Sequence, residues 1–353
     1  MKYFFDKFLT KHSFIRYMAF GIVHNNDKKL LDERSGHSMN SFMIRSNGGR
    51  NFGKTIYNIN INTSGSGFFA LIRFVLDGIY CSETLGFVPY VSLVNTRYNN
   101  VLDGKDNMFE YYYQQPANLT MEDIQESTAV AEFKGEHRAW LEAKFMNDTE
   151  LLAGYEFDSR LIEIMGDISK RYLFLRKDIK EKILNDISLI GVTKKTIAIH
   201  YRGNAFKVGF YGHPICLEIE NYYPYINECL EKGFDKIFIA TDDKIALNKI
   251  VEHYPNKVIY YRDTERSDDG IDVHDKADRK EKTGFMLGYE VLRDMYTMAS
   301  CDGLICGKSQ VSFATLVEKK ARDEEFEYFK LIDLGINTKE QKGNVRKYIK
   351  KLK

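Results

Sequence analysis

The sequence has no C-x-x-C pair, and its five cysteines (Cys81, Cys216, Cys229, Cys301 and Cys306) are scattered and odd in number. Zinc sites need clustered thiolates or imidazoles, and small secreted scaffolds need paired cysteines, so both classes fall away. Reduced, mostly buried thiols of a cytosolic protein fit instead. An excess of charge of one sign is also missing, with 51 Lys and Arg against 50 Asp and Glu for a net charge of +1. A nucleic-acid partner needs a basic excess to displace counterions from phosphate, which argues against one here. No apolar run reaches the ~18 residues that span a bilayer. Residues 2–23 mix aromatic and basic side chains without the apolar core or cleavage site of a signal peptide. They read as a helix packed on its own domain or one lying on a membrane surface.

What is present is a globular composition, 44% hydrophobic and 29% charged, over 353 residues, a length that favours two domains. Residues 24–52 are rich in Gly, Asn and Ser and read as a loop. A strand is expected at 55–61, a small-residue turn at 62–67, and a helix at 68–85 with Leu71, Ile72, Val75, Leu76 and Ile79 at helical spacing. A second strand at 87–93 follows, although Pro89 argues against a strand interior. This β-loop-α-β order is the unit of a doubly wound fold. Residues 107–115 are densely aromatic and could stack on sugar rings or form core; 129–184 read as two or more helices.

The second half alternates more regularly. Strands are expected at 196–200, 236–240, 257–261, 303–306 and 328–332. Helices are expected at 224–232, with Gly233 as its stop, from a Thr241 or Asp242 cap through His253, and at 284–300 and 309–319. A long polar loop covers 262–282. Strands separated by helices of this length imply a parallel sheet covered on both faces. The expected fold is therefore α/β: two Rossmann-like domains, residues 1–190 and 191–335 with a hinge near 191–195, followed by a basic surface helix at 336–353.

In an open parallel sheet, ligands sit beyond the carboxyl ends of the strands. That rule selects Ser64–Gly67, His200–Asn204, Thr241–Asp243, Tyr261–Asp263 and Gly307–Gln310. Arg202 follows a strand and could grip phosphate in bidentate fashion, with Gly203 allowing close backbone approach. An ordinary surface arginine is the competing reading. The Gly307-Lys308-Ser309-Gln310 turn opens a helix, where free N–H groups and the helix dipole attract an anion, unless Ser309 merely caps its own helix. Gly65 and Gly67 could present backbone to the same ligand or form a plain tight turn. Asp242 and Asp243 could hold Mg²⁺, but Asp242 also suits a helix cap and no third carboxylate is close in sequence. His213, His253 and His274 are ordinary structural histidines by default.

Several blocks, in order, resemble the superfamily of α1,6-fucosyltransferases and protein O-fucosyltransferases, especially bacterial relatives of the rhizobial nodulation fucosyltransferase. They are Ile199-His200-Tyr201-Arg202-Gly203 with Gly212-His213-Pro214, Ile237 to Asp243, Arg266 to Gly270 with Val273-His274, Gly288 to Asp294, and Cys301 to Val311. Gly65-Ser66-Gly67-Phe68-Phe69 and Phe109 to Pro116 are similar to the family's first half, so the resemblance runs over residues 55–330. It implies the two-domain GT-B type of glycosyltransferase fold with the donor site in the cleft between the domains. It also implies GDP-fucose as co-substrate, inversion at the anomeric carbon, a glycan acceptor, and neither metal nor other cofactor. Arg202 would be the catalytic residue holding the β-phosphate. Ser309 and Gln310 would bind phosphate from the far side, His200 and Asp294 would contact guanosine, and the loop of Gly65 and Gly67 would close over the nucleotide. Where the family's H-x-R-x-x-D pattern carries its acid, this chain has Ala205. Phe210 and Tyr211 stand where some relatives carry another acid, so no general base transfers. A transferase or epimerase for another nucleotide sugar, or a silent carbohydrate-binding relative, remains compatible with these residues. The expected location is the cytoplasm, in surface-polysaccharide synthesis, with a peripheral membrane contact open through residues 2–23 or the basic tail.

Overall fold

A computed structural model describes residues 42–133, 155, 157–204, 206–268, 270–271, 283–339 and 342–352. The expected N-terminal helix at 2–23, Ala205 and His274 lie outside the described residues. Strands run β1 (Phe42–Arg45), β2 (Ile56–Asn62), β3 (Val88–Val94), β4 (Val130–Phe133), β5 (Thr196–Tyr201), β6 (Lys236–Thr241), β7 (Val258–Ile259), β8 (Gly303–Gly307) and β9 (Tyr328–Ile332). Helices are α1 (Phe68–Leu85), α2 (Phe109–Tyr112), α3 (Met121–Glu126), α4 (Ser159–Tyr172), α5 (Lys177–Ile190), α6 (Tyr223–Glu231), α7 (Lys244–His253), α8 (Gly284–Ala299), α9 (Gln310–Ala321) and α10 (Lys342–Leu352).

The strands form two sheets, ordered β1-β4-β2-β3 and β7-β6-β5-β8-β9. In the second sheet every pairing is parallel. Every residue of β5 is buried, as a central strand covered on both faces must be. In the first sheet β2 pairs in parallel with β3 and β4, while β1 and β4 are antiparallel. Pro89 sits inside β3 after all, because β3 is an edge strand and needs no ladder donor on its outer side.

Three expectations are corrected and one is completed. The segment expected as a loop at 24–52 contains β1; the stretch 129–184 does contain two helices, α4 and the first part of α5, as expected, and opens with strand β4. The pairing partners in β1 and β4 lie about ninety residues apart, Phe42 opposite Phe133, so no local pattern announces these strands. The strand expected at 257–261 is only Val258–Ile259, limited to pairing with Ile237 and Phe238 at the sheet edge. The cap of α7 is Asp243, whose carboxylate accepts from the amides of Ile245 (2.9 Å) and Ala246 (3.0 Å), rather than Thr241 or Asp242. By contrast, Gly233 stops α6 as expected, at φ +93°.

One hydrophobic cluster draws on both sheets' helices: Leu71 and Val75 of α1, Leu161 and Met165 of α4, Met298 of α8 and Phe313 of α9 all belong to it. The aromatics of 109–113 resolve largely as core. Phe109, Tyr112 and Tyr113 are buried, Phe109 stacks on Tyr113 at 5.2 Å, and Tyr112 stacks on Phe285 at 5.4 Å.

Candidate functional site

The second sheet reverses its strand order between β5 and β8, where a parallel sheet opens a crevice beyond its carboxyl ends. A concavity of ≈ 340 Å³ occupies that place. His200 and Arg202 reach it from the end of β5, Gly307 and Lys308 from the end of β8, and Asp333, Leu334 and Gly335 from the end of β9. Phe206, Pro214, Ile215, Leu217 and Tyr222 close the opposite side.

Arg202 is oriented by Asp242, which follows the adjacent strand β6. The Arg202 Nη1 donates to Asp242 Oδ2, and Asp242 Oδ1 accepts from the Gly203 amide at 3.1 Å. Asn204 Nδ2 donates to the carbonyl of Asp242 at 2.6 Å, which ties the two strand ends together. Gly203 is required for packing on protein: a Cβ there would stand 2.6 Å from Asp243 Oδ2 and 2.9 Å from the Tyr201 ring. The close approach expected toward a ligand is thus an approach to Asp243. That carboxylate, nearly fully buried, also pairs with Lys207. Both members of the Asp242-Asp243 pair therefore hold cationic side chains. Among the described residues, no group of three or more His, Cys, Asp or Glu side chains could hold a metal ion.

His200 lies at the base of the crevice with Nδ1 2.9 Å from Ser312 Oγ and 3.1 Å from Ser309 Oγ. Burial, aided by the neighbouring Arg202 charge, lowers its pKa to about 3, so the ring is neutral. Ser309 does cap α9, its hydroxyl accepting from the Ser312 amide at 3.0 Å. It is consequently turned toward His200, and the turn faces the concavity through Gly307 and Lys308 instead. The Lys308 ammonium stands 3.2 Å from Asp333. Gln310, the first residue of α9, reaches the other way and accepts from Arg73 Nη1 at 3.2 Å.

The remaining expected residues lie apart from this concavity. Gly65 and Gly67 do not line it; the carbonyls of Ser64 and Gly65 accept from Arg97 at 3.0 and 3.4 Å. Asp294 does not line it either. It is buried on α8, and burial pushes its pKa up to about 7 against the pull of Arg293 and Arg266. Beside it, Arg293 bonds Asp263 at 2.8 Å and Asp186 at 3.3 Å. His213 packs edge-on to Tyr155 and Phe206, and its Nδ1 is buried without a hydrogen-bond partner.

Asp333 and Tyr222 escaped the sequence reading of the site, and Lys308 was selected only as part of its turn. The strand-end rule would have selected Asp333, which follows β9 directly, and Lys308 lies inside the turn already selected. Tyr222 carries no local signal; its hydroxyl reaches the His200 carbonyl at 3.0 Å from a 3₁₀ turn (Ile219–Tyr222).

No family model matches the sequence, and no curated protein matches it. Solved structures do. An α1,6-fucosyltransferase NodZ soaked with GDP-fucose is similar at 16% identity and a TM-score of 0.45, covering 75% of this chain and 92% of that one. The fucosyltransferase NodZ from Bradyrhizobium gives 16% and 0.42, over 76% and 92% of the two chains. The apo form of POFUT1 gives 13% and 0.44, over 82% and 98%. At these values the likeness assigns no activity by itself; the chain is similar to fucosyltransferases, the superfamily that its sequence blocks resemble.

Proposed function

We propose that this chain is a glycosyltransferase that moves fucose from GDP-fucose to a glycan acceptor by a single inverting displacement. The observation that carries the reading is one concavity at the strand-order switch, shared by the guanidinium of Arg202 and the Gly307-Lys308 turn that leads into α9. A cation and a helix N-terminus aimed at one space suit a diphosphate. The oxygen of an acceptor hydroxyl attacks the anomeric carbon as the bond to the β-phosphate oxygen breaks; the hydroxyl proton passes to solvent, and GDP leaves with growing negative charge. Arg202 and the amides of the turn stabilise that charge, with no metal assigned to the task. Asp242 keeps Arg202 aligned.

In this reading the chain divides near residue 190 into two Rossmann-like domains with the donor between them. His200 and Asp294 serve guanosine, Ser309 and Gln310 the phosphates, and the loop of Gly65 and Gly67 closes over the nucleotide. The five cysteines are unpaired, which accords with the cytoplasm, where a surface polysaccharide would be assembled. A peripheral membrane contact falls to the basic helix α10 and the rim beside it. Lys342, Arg346, Lys347 and Lys350 are exposed on that helix, and Tyr211, Ile215 and Leu334 are exposed apolar side chains on the rim.

The test is a thermal-shift panel of nucleotide sugars followed by assay of GDP release. GDP-fucose should raise the melting temperature as a ligand selective for the folded state must, and should release GDP in the presence of a glycan acceptor. Stabilisation by UDP-sugars without stabilisation by GDP-sugars would overturn the fucose reading.

A further inference from the structure

A charged side chain on the first helix reaches the opening turn of a helix that covers the second sheet. Arg73, in the second turn of α1, is only 4% exposed. Its guanidinium carbon lies 3.7 Å above the ring of Phe313, one turn into α9, and its Nη1 donates to Gln310 Oε1 at 3.2 Å. The contact spans 237 positions of sequence and joins a helix of the first sheet to the opening turn of a helix of the second.

A guanidinium can only donate hydrogen bonds. The Gln310 oxygen must therefore face Arg73, and the amide NH₂ is fixed on the other side, where it can only donate. Gln310 is the first residue after the Ser309 cap, so its NH₂ is carried beside the amides of a helix N-terminus, on the Arg73 side of the turn and not in the concavity lined by Gly307 and Lys308. Were the carboxamide free to rotate, half its orientations would turn an oxygen toward an anion there. Phe313 holds the guanidinium plane in place, a stacking geometry that a lysine ammonium lacks.

A second observation puts Arg73 in the same electrostatic environment as Arg202. Tyr155 is buried, which pushes its hydroxyl pKa up to about 12, and the two arginines, one from each sheet's elements, both pull it back down. Both guanidinium groups thus lie within electrostatic reach of one phenol.

From this geometry we infer that Arg73 is a positioning residue for phosphate: it locks Gln310 as a donor at the start of α9 and adds a fixed positive charge from the opposite sheet. The inference rests on the donor reading proposed above. It assigns a phosphate role to a residue outside every sequence block that resembles the fucosyltransferases.

The experiment is a double-mutant cycle in the full chain, with Arg73→Met, Gln310→Leu and both together, read by calorimetric titration with GDP and by steady-state kinetics. Each single change should weaken GDP binding by roughly 10-fold, the size of one charge-assisted hydrogen bond. The double variant should be no weaker than the worse single, because the two side chains act as one unit. KM for the GDP-sugar should rise by the same factor while kcat stays within about 3-fold, since ground and transition states lose the same contact. A purely structural tie would instead lower the active fraction, and with it the apparent kcat, while leaving KM unchanged. Arg73→Lys, which keeps a donor for Gln310, should recover part of the affinity, and it replaces Arg73→Met in the cycle if that variant does not fold. Additive losses, or GDP affinity unchanged in the Arg73 variant while Arg202→Ala abolishes binding, overturn this inference alone. Absence of GDP binding by the unaltered chain overturns the donor reading and this inference with it.

Discussion

Asp242 and Arg202 close a salt bridge between the ends of two neighbouring parallel strands, β6 and β5, at the edge of the crevice. The carboxylate bonds the guanidinium with one oxygen and the backbone of the next residue, Gly203, with the other. A long flexible side chain is thereby held in one orientation before any ligand arrives, which is the condition for electrostatic stabilisation without reorganisation.

If that preorganisation matters, the two residues should differ in effect. Arg202→Ala should lower kcat/KM by about 10²-fold or more, the loss of a charge contact made in the transition state. Asp242→Asn keeps the shape and loosens the clamp, so a smaller loss of about 10-fold is expected. Steady-state kinetics on both variants decides this, and equal losses would mean that Asp242 does more than align its partner.

The His200 and Asp294 shifts predict opposite pH dependences of stability. His200 is held neutral down to about pH 3, whereas an unfolded histidine titrates near 6.5. Between those values the unfolded chain binds more protons, so this residue's contribution is lost as pH falls through that window. Asp294 keeps its proton up to about pH 7, while an unfolded aspartate loses it near 3.9. There the folded state binds more protons, so stability falls as pH rises through that window. Each limb has a limiting slope of roughly 1.4 kcal/mol per pH unit. Relative to the unaltered chain, Asp294→Asn should remove the falling limb, and His200→Gln the rising one. Urea unfolding at pH steps from 4 to 7 measures both, and parallel profiles in all three proteins would contradict the assignment.

Asp243 performs three tasks, capping α7, pairing with Lys207 and packing against Gly203. Asp243→Ala should destabilise by roughly 1–2 kcal/mol from the lost cap. Gly203→Ala should cost roughly 1–3 kcal/mol, the usual penalty of overpacking, because the added methyl would press on the buried Asp243 carboxylate and the Tyr201 ring. Denaturant titration gives both numbers. An unaffected Gly203→Ala would show that the loop carrying Arg202 is looser than its packing implies.

Helix α10 and the adjoining rim make the membrane reading measurable. The rim is stitched by backbone bonds from Gly212 to Asn337 and from Ile215 to Gly335, both 2.9 Å, and α10 is tied to it by Asn344, which donates to the Lys207 carbonyl at 3.5 Å. Exposed basic residues near an anionic surface contribute about 1 kcal/mol each. The chain should sediment with vesicles containing anionic lipid and not with neutral ones. Replacing Lys342, Arg346 and Lys350 with glutamate should abolish the association, and persistent binding by that variant would contradict it.

The sequence made much of the second sheet readable and less of the first, for identifiable reasons. Helix α1 and strand β9 fall on the residues expected, because α1 repeats its apolar face at helical spacing and β9 completes a regular alternation. Strands β1 and β4 were missed because each is four residues long and exists only through a partner far away in sequence. At Thr241-Asp242-Asp243 three residues could cap α7, and composition cannot choose among them; Arg202 draws Asp242 away and leaves the cap to Asp243. Arg202 was visible because a strand end selects it. Arg73 was invisible because an arginine inside a helix carries no mark of a glutamine 237 positions on.

The most direct measurement is calorimetric binding of GDP and of guanosine to the unaltered chain and to Arg202→Ala. A diphosphate site predicts that GDP binds the unaltered chain at least about 10-fold tighter than guanosine, and that Arg202→Ala removes most of that difference while leaving guanosine affinity unchanged. Equal GDP affinities for the two proteins would contradict the account at its centre.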